Sequence, residues 1–322
     1  MRIGLLLISG VFLWLPGSTG AALPVPGTGQ GSGQEAYTVV VPAGEGFLAG
    51  GPGGKLDWIS AGGTITRSEI LKGEAIHSLL ATGHRILVAG KQGSLLIGSD
   101  QDAFRKIASG TDLNINSLAE FRQKIVAGCD HGGILLGDTQ GIFTYVPLDL
   151  KGNIVSVSAN STDCYGVSDQ GEIIHSGDGL KWDIFDFNRA YSGYYKACRF
   201  TKALVTEKQV AVIGLEEDGQ PAMYFSSGGK VWTERSLIYK DGQGMSRHLA
   251  DTLNDLYYDQ RQDRFYLVSN HGKLMILPSC SHCNELYELA PENLYGISGN
   301  ANSIIVVGEK GFLKISDMDF YQ

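Results

Sequence analysis

Short apolar runs recur from about residue 37 to the end of the chain, and tight turns containing Gly or polar residues separate them. The clearest repeating element is an apolar pair that ends in a small residue, followed by a short turn with Gly and a second apolar run. Residues 87–99 and 267–279 are two of its seven copies. Runs of this length between turn residues are typical of strands, so the pattern predicts an all-β protein.

The copies lie at nearly regular intervals along the chain. A mostly small anchor residue ends the second strand of each unit, and these anchors are Gly50, Gly90, Gly128, Val167, Gly214, Ser269 and Gly308. Their spacings are 40, 38, 39, 47, 55 and 39 residues, and such a period made of short strands predicts four-stranded propeller blades. A blade buries both faces only when neighbours stack against it. We therefore predict a single β-propeller of seven four-stranded blades over residues 35–322.

Six blades remain the alternative, and the closure of the ring is also open. In the second unit the strands are predicted at residues 76–82, 85–90, 94–99 and 103–108. The last unit, in contrast, has only residues 320–322 left for its fourth strand. Residues 37–41 could begin the first unit, or they could complete the last one.

The composition excludes other classes of protein. The chain has 44 Gly among 322 residues, with 43% hydrophobic and 19% charged residues, which excludes disorder, and the Gly positions lack the period of collagen. One Gly recurs in each turn between strands two and three, where a positive φ is expected. These seven are Gly54, Gly93, Gly132, Gly171, Gly219, Gly272 and Gly311. A net charge of -8 without a basic face indicates that the chain does not bind nucleic acid.

Residues 1–22 are typical of a secretory signal peptide. Arg2 precedes an apolar run of 13 residues at positions 3–15, which is too short to span a bilayer. Gly20 and Ala22 would be the small residues before a cleavage site near Ala22. Residues 23–34 are rich in Pro, Gly and Ser and are predicted to be a flexible leader. We therefore expect a secreted or periplasmic protein with no transmembrane segment in its mature chain.

The five cysteines are too few for a disulfide scaffold. Cys280 and Cys283 form a Cys-x-x-Cys pair in a turn of the sixth unit. A local disulfide is the favoured interpretation of this pair, and a zinc site or redox chemistry are alternatives. Cys129, Cys164 and Cys198 are predicted to be small buried core residues. No cofactor is predicted, and no set of ligands indicates a metal site.

Two units carry a further motif at the turn between strands three and four, in residues 176–182 (SGDGLKW) and 226–232 (SSGGKVW). Both resemble the Asp-box, a hairpin of the form Ser-x-Asp-x-Gly-x-x-Trp, although each is one residue short and the second lacks the Asp. The chain thus resembles Asp-box (BNR-like) propellers, most of all the photosystem II assembly/stability factor type and distantly the sialidase type. The resemblance implies an Asp that bonds backbone amides and a Trp that packs between blades. The structural residues would be Ser176, Asp178, Trp182, Ser226 and Trp232.

The resemblance also implies an orientation, with the Asp-box turns on a lower face and the ligand site on the upper face. The fifth unit has the irregular spacings 47 and 55 on its two sides, and long loops over a rigid scaffold often carry function. Residues 188–195, 215–220 and 239–251 would meet in this sector. Its candidate binding residues are Arg189, Tyr191, Tyr194, Glu216, Glu217, Arg247, His248 and Asp251. His131 and His271, in turns of other units, are further candidates, because imidazole titrates near neutrality.

The leading interpretation is an exported propeller that binds a protein or glycan partner, or assists assembly, without catalysis. A glycoside hydrolase is the first alternative, with Glu217 and Asp251 as its possible carboxylate pair. The lack of Arg in residues 35–60 and of any Arg-Ile-Pro motif counts against a sialidase. A purely structural envelope protein is the second alternative.

Overall fold

The protein is described by a computed structural model that covers residues 36–138, 140–278 and 284–317. Its strands form seven antiparallel sheets in chain order, and a short extra hairpin follows the fifth sheet. Six sheets have four strands, and the last has three within the described residues. The prediction of seven blades is confirmed, and the alternative of six blades is wrong.

Blades 1 to 4 occupy the first half of the ring. Blade 1 consists of β1 (Val39–Ala43), β2 (Gly46–Gly50), β3 (Lys55–Ile59) and β4 (Ile65–Ile70). Blade 2 consists of β5 (Ile76–Thr82), β6 (Arg85–Gly90), β7 (Leu95–Gly98) and β8 (Arg105–Lys106). Blade 3 consists of β9 (Ile115–Phe121), β10 (Lys124–Cys129), β11 (Gly133–Gly137) and β12 (Phe143–Pro147). Blade 4 consists of β13 (Ile154–Ala159), β14 (Cys164–Ser168), β15 (Glu172–Ser176) and β16 (Asp183–Asp186), and the one-turn helix α1 (Phe187–Ala190) follows it.

Blades 5 to 7 complete the ring. Blade 5 consists of β17 (Cys198–Val205), β18 (Val210–Glu216), β19 (Pro221–Ser226) and β20 (Thr233–Glu234). The extra hairpin consists of β21 (Ile238–Lys240) and β22 (Ser246–His248). Blade 6 consists of β23 (Leu253–Asp259), β24 (Arg264–Ser269), β25 (Lys273–Pro278) and β26 (Glu285–Glu288). Blade 7 consists of β27 (Leu294–Gly299), β28 (Ser303–Gly308) and β29 (Leu313–Asp317). Single 3-10 turns lie at Asp130–Gly132, Asn270–Gly272 and Glu309–Gly311.

The first strand of every blade is the innermost one. These strands pack side by side around the axis, and β27 of blade 7 packs against β1 of blade 1. Residues 37–41 therefore begin blade 1, since β1 pairs with β2 and the amide of Tyr37 donates a hydrogen bond to the Gly308 carbonyl of blade 7. The question of how the chain enters the ring is resolved by this contact.

The core is divided into seven apolar clusters, one at each junction between neighbouring blades, including the junction of blades 7 and 1. In the middle of a blade both faces are covered, so β6 and β7 are buried at nearly every position. The outer strand β4, by contrast, alternates between half-buried and exposed residues. Strands buried on both faces appear as continuous apolar runs. This is the physical reason for the apolar pairs that revealed the repeat.

The turn glycines have the backbone conformation that the sequence predicts. All seven glycines between strands two and three have positive φ, from 67° to 84°. At Gly272 a Cβ atom would lie 1.6 Å from the carbonyl oxygen of Ala290, because the turn presses against the loop that leaves the blade. Both the sign of φ and the close approach therefore require Gly at this position.

The strand order places the connections on two faces. We define the upper face as the end that carries the turns between strands two and three and the loops from one blade to the next, and the lower face as the opposite end. Blade 5 differs from the others, because β17 and β18 continue upward through the pairs Arg199–Leu215 and Cys198–Glu216. These two extra residue pairs raise its hairpin by about 7 Å above the level of the other blades.

The two Asp-box-like turns lie on the lower face. The Asp178 carboxylate accepts hydrogen bonds from the amides of Leu180 and Lys181 at 2.7 and 2.8 Å, and the Ser176 hydroxyl accepts one from Gly179. In the second turn Ser226 accepts from Gly229 at 2.9 Å. Membership of the Asp-box class stays a prediction.

The aromatic residues that follow these turns pack between blades. Trp182 is half-buried against the cluster of blades 3 and 4, and Trp232 is buried in the cluster of blades 4 and 5. The Trp232 indole also donates a hydrogen bond to the Gly229 carbonyl at 3.1 Å.

Several predictions lie outside the described residues: the signal peptide at 1–22, the leader at 23–34, the pair Cys280 and Cys283, and the last strand at 320–322. The other three cysteines are free and buried, as predicted, and burial raises the pKa of Cys129, Cys164 and Cys198 to about 12. Such thiols are inert at neutral pH. Among the described residues, no helix is long and apolar enough to cross a membrane.

Candidate functional site

Three segments of the upper face meet around blade 5. They are residues 187–197, which enter blade 5, residues 215–221, which form its raised hairpin, and residues 235–251, which leave it. We call them together the blade 5 sector. The amide of Glu217 donates a hydrogen bond to the Ala197 carbonyl at 2.8 Å, so the first two segments are in contact. The backbone thus joins two of the three long segments directly.

The entering segment is rich in tyrosine, and its tyrosines have different environments. Asp186 caps α1 by accepting a hydrogen bond from the Arg189 amide at 3.0 Å. Tyr191 packs against Phe187, and its hydroxyl accepts a hydrogen bond from the Trp232 amide at 2.7 Å. Tyr194, by contrast, is 87% exposed. Of the two predicted site tyrosines, only Tyr194 presents its ring to solvent, whereas Tyr191 joins blades 4 and 5.

The leaving segment contains the extra hairpin, which Asp241 holds in shape. One oxygen of the Asp241 carboxylate accepts hydrogen bonds from the amides of Gln243 and Met245, both at 2.9 Å. The other oxygen accepts a hydrogen bond from Nε of Arg247 at 3.0 Å. At the base of the hairpin the Leu249 amide donates to the Leu237 carbonyl at 3.0 Å. Arg247 is therefore already paired within the hairpin, and Met245 lies exposed at its tip.

The raised hairpin presents acidic residues. Oε1 of Glu216 accepts a hydrogen bond from the buried Tyr224 hydroxyl at 3.0 Å, while its Oε2 lies 3.5 Å from Nζ of Lys196. Lys196 also pairs with Asp218 at 2.5 Å. Glu217 is exposed. Burial and the adjoining Cys198 and Glu216 hold the pKa of Tyr224 above its usual value, so its hydroxyl stays a hydrogen-bond donor.

A pocket of about 350 Å³ lies where the three segments meet. Its lining includes Lys196, Glu216, Pro221, Glu234, Leu237, His248 and Leu249. Of these, the sequence pattern had indicated only Glu216 and His248. Glu234 was missed because β20 has only two residues and no periodicity to mark it. Partial desolvation and the neighbouring Glu216 carboxylate raise the pKa of Glu234.

Asp251 and the two histidines lie apart from this pocket. The Asp251 carboxylate accepts hydrogen bonds from Nδ1 of His271 and Nζ of Lys273, both at 2.6 Å. It therefore joins the leaving segment to blade 6. Although burial opposes the effect, the hydrogen bonds from Lys273 and His271 hold the pKa of Asp251 below its usual value. His131 lies on the turn of blade 3, with φ of 55°. The structure thus pairs His271 with Asp251 but places His131 two blades from the sector.

A larger cavity, of about 720 Å³, opens on the lower face between blades 1 and 2. Its acidic residues are already engaged, since Asp100 accepts the Trp58 indole at 2.7 Å and Asp102 lies 3.9 Å from Arg85. None of the predicted site residues lines it. Within the described part of the chain, no group of three or more His, Cys, Asp and Glu side chains could hold a metal ion.

Comparison with known proteins defines the fold. No protein-family model matches the sequence, and no curated protein matches it. Among solved structures, YCF48 bound to D1 peptide superposes with a TM-score of 0.69 at 13% identity, covering 92% of this chain and all of that chain (100%). The crystal structure of the computationally designed Ika8 protein superposes with a TM-score of 0.59 at 11% identity, covering 89% of this chain and 98% of that one. The chain is a seven-bladed β-propeller.

Three asparagines on the upper face of this propeller form hydrogen bonds between neighbouring blades. Asn114, Asn153 and Asn293 occupy the same place in three loops between blades. Each accepts, through Oδ1, the amide of a turn residue in the preceding blade and donates Nδ2 to the acidic residue of its own turn. The constant separations of 22 and 16 residues are the signal that could have revealed these bridges in the sequence. These latches join blades 2 and 3, 3 and 4, and 6 and 7 on the upper face.

Proposed function

We propose that this propeller is an exported, non-catalytic module that binds a segment of a partner protein on the blade 5 sector. One observation carries the proposal: the three lengthened segments of the ring converge on one pocket, whereas asparagine bridges tie the connections between blades 2 and 3, 3 and 4, and 6 and 7. Ordering long loops is entropically unfavourable, and pockets with a few convergent polar groups are the usual places of binding. The exposed Tyr194 of the entering segment and Met245 of the leaving segment add large side chains suited to a protein contact.

The fold comparison supports a protein partner. YCF48, which shares this architecture, is described in complex with a D1 peptide. At 13% identity the likeness concerns the fold alone, so the extension of peptide binding to this chain is an analogy. The analogy favours a protein segment over a glycan, because no exposed aromatic side chain lines the described pocket as a platform for a sugar ring.

Export of the chain is the second part of the proposal, and residues 1–22 support it. Intact-mass measurement of the protein from its native source tests this point. We expect a mature N-terminus at Leu23, immediately after the cleavage site near Ala22. A chain that retains residues 1–22 in its native compartment contradicts export and leaves the binding proposal to be judged separately.

Hydrolysis of a glycoside is the second candidate function, and one observation favours it. Glu234, whose pKa is raised, shares the pocket with the Glu216 carboxylate, and glycosidases use a pair of carboxyl groups. The pair that the sequence suggested is less suitable, since Asp251 is engaged by Lys273 and His271. Turnover of a glycan panel that is lost in Glu234→Gln would establish this candidate. We expect no turnover.

The binding proposal is tested by capture of partners from the native fraction with paired variants. The upper-face variant combines Tyr194→Ser, Arg247→Ala and His248→Ala, and it leaves Tyr191 in place because that side chain packs between blades. The control variant combines Leu180→Ser and Val231→Ser, two exposed residues of the lower face. We expect a partner that is retained by the wild type and the control but lost by the upper-face variant. Equal capture by all three proteins contradicts the proposal.

A further inference from the structure

The pocket of the blade 5 sector has an apolar wall. Pro221 begins β19, and Leu237 and Leu249 are joined by the hydrogen bond at the base of the extra hairpin. Leu237 and Leu249 are 7% and 3% exposed, so rigid packing holds this wall in place. An aliphatic chain that lay against it would be removed from water, which is favourable in proportion to the apolar area covered.

The lining of the pocket also carries two carboxylates. Glu216 lies at the top of β18, and Glu234 ends β20, the last strand of the same blade. The Glu216 side chain is 12% exposed and is held by Tyr224 and Lys196. The Glu234 side chain makes no hydrogen bond or ion pair with any residue that the structure describes. Two like charges in one pocket repel each other, so the site favours the arrival of a positive charge.

Lys196 and Arg235, two cations of the pocket lining, make hydrogen bonds or ion pairs with residues other than Glu234. Lys196 is closest to Asp218, at 2.5 Å, on the outside of the raised hairpin. Arg235 donates from Nη2 to the Pro278 carbonyl at 2.6 Å and so reaches toward blade 6. His248, the remaining basic residue, is exposed at the rim. The pocket therefore combines an apolar wall with two carboxylates, and Lys196 and His248 lie near enough to act on Glu234 electrostatically without pairing with it.

We propose that this pocket receives a lysine or arginine side chain of the bound partner. The alkyl stem would lie against the apolar wall, and the cationic head would lie between the two carboxylates. The inference rests on the proposed function and adds the chemistry of the recognised residue. The volume of this pocket, about 350 Å³, is in the range of pockets that hold small organic groups.

Short random peptides displayed on phage provide the probe, because the natural partner is not identified. Peptides are selected on the purified protein, synthesised, and measured by calorimetry at neutral pH. For each peptide a norleucine version keeps the stem of the Lys or Arg and removes its charge. Glu234→Gln is the test variant, and Glu45→Gln, which changes an exposed carboxyl of the lower face, is its matched control.

We expect the norleucine change and Glu234→Gln each to weaken binding about tenfold or more, because each removes one partner of a charge-assisted hydrogen bond. The two changes should not add, because they remove the same contact. Glu45→Gln should leave the affinity unchanged. Peptides that depend on Tyr194 but bind equally well with norleucine overturn this inference alone. If the selected peptides bind the upper-face variant as tightly as the wild type, both the proposed function and this inference are overturned. The same holds if no peptide binds the wild type.

Discussion

At the scale of single residues, the upper face separates into latches and an open site. The bridges made by Asn114, Asn153 and Asn293 use every polar atom of the amide between two blades. Ala197 and Thr252 stand at the corresponding places before β17 and β23. At blade 5, Asn188 instead donates to the Gln170 carbonyl of blade 4 and accepts the amide of Cys198.

Replacing a latch should destabilise the ring without touching the site. Asn153→Ala removes the acceptor of the His131 amide, at 3.0 Å, and the donor to Asp169, at 2.8 Å. We expect a loss of about 1–3 kcal/mol in the free energy of unfolding, because two partners are left unsatisfied. Urea denaturation measures this loss, and Asn302→Ala, at an exposed position, is the control. Equal midpoints for the two variants would refute the latch.

Glu234 should make stability depend on pH in an unusual direction. Its pKa is raised in the folded state, so the folded protein holds this proton more tightly than the unfolded chain does. The contribution to stability is full below the unfolded pKa and is lost as pH rises through the folded pKa. Glu234→Gln, which is neutral at every pH, should therefore melt at a higher temperature than wild type at neutral pH. The two melting curves should converge in acid, and the Glu45→Gln control should show no such pattern.

At the scale of elements, the turn of the extra hairpin is held by the side chain of Asp241. Asp241 accepts the amides of Gln243 and Met245 and pairs with Arg247, whose hydrogen bond holds the pKa of Asp241 below its usual value. β21 and β22 have only three residues each, too few for an isolated hairpin to be stable. Order in this segment therefore comes from its turn and from its base at Leu237 and Leu249.

Asp241→Ala should loosen the hairpin and leave the blades intact. We expect the amides of Gln243 and Met245 to exchange with solvent faster, while the strands of blades 5 and 6 keep their protection. Selected peptides should bind more weakly, because the loosened hairpin loses more conformational entropy when binding orders it. Hydrogen exchange with and without peptide measures both effects. Unchanged exchange at Met245 would show that the carboxylate is not what orders the turn.

The elements of the ring could be predicted because their signals are local. Turn glycines such as Gly93 and Gly132 have positive φ, and apolar pairs mark strands buried on both faces. The candidate site could be predicted only as a region. Its long loops appear as irregular spacing, but the pairing of Asp251 with His271 and the exposure of Glu234 depend on which chain segments meet in space. Tyr191 shows the same limit, since a loop tyrosine in the sequence turns out to pack between blades.

At the scale of the whole molecule, a buried polar group of blade 1 lies beside the junction of blades 7 and 1. Nζ of Lys55 lies 3.1 Å from the Asp57 carboxylate and 3.0 Å from the Tyr37 hydroxyl, which itself donates to Asp57. Asp57 and Tyr37 are completely buried. The Tyr37 amide also reaches Gly308 of blade 7, so this group fixes the strand that begins the ring.

Breaking this group should loosen ring closure. Asp57→Ala leaves the Lys55 charge buried without its partner, and we expect a loss of about 3–5 kcal/mol in the free energy of unfolding. The double variant Lys55→Met/Asp57→Leu should recover most of this loss, because it buries no charge. Chemical denaturation of the three proteins measures the comparison. A double variant as unstable as the single one would indicate that packing, rather than charge, controls the junction.

The central claim is that the blade 5 sector is the binding face of the propeller. Hydrogen–deuterium exchange of the wild-type protein, with and without its strongest selected peptide, tests this claim most directly. We predict that protection is confined to residues 187–197, 215–221 and 235–251, with no change in the lower-face turns at 176–182 and 226–232. Protection of those lower-face turns instead of the blade 5 sector would contradict the account.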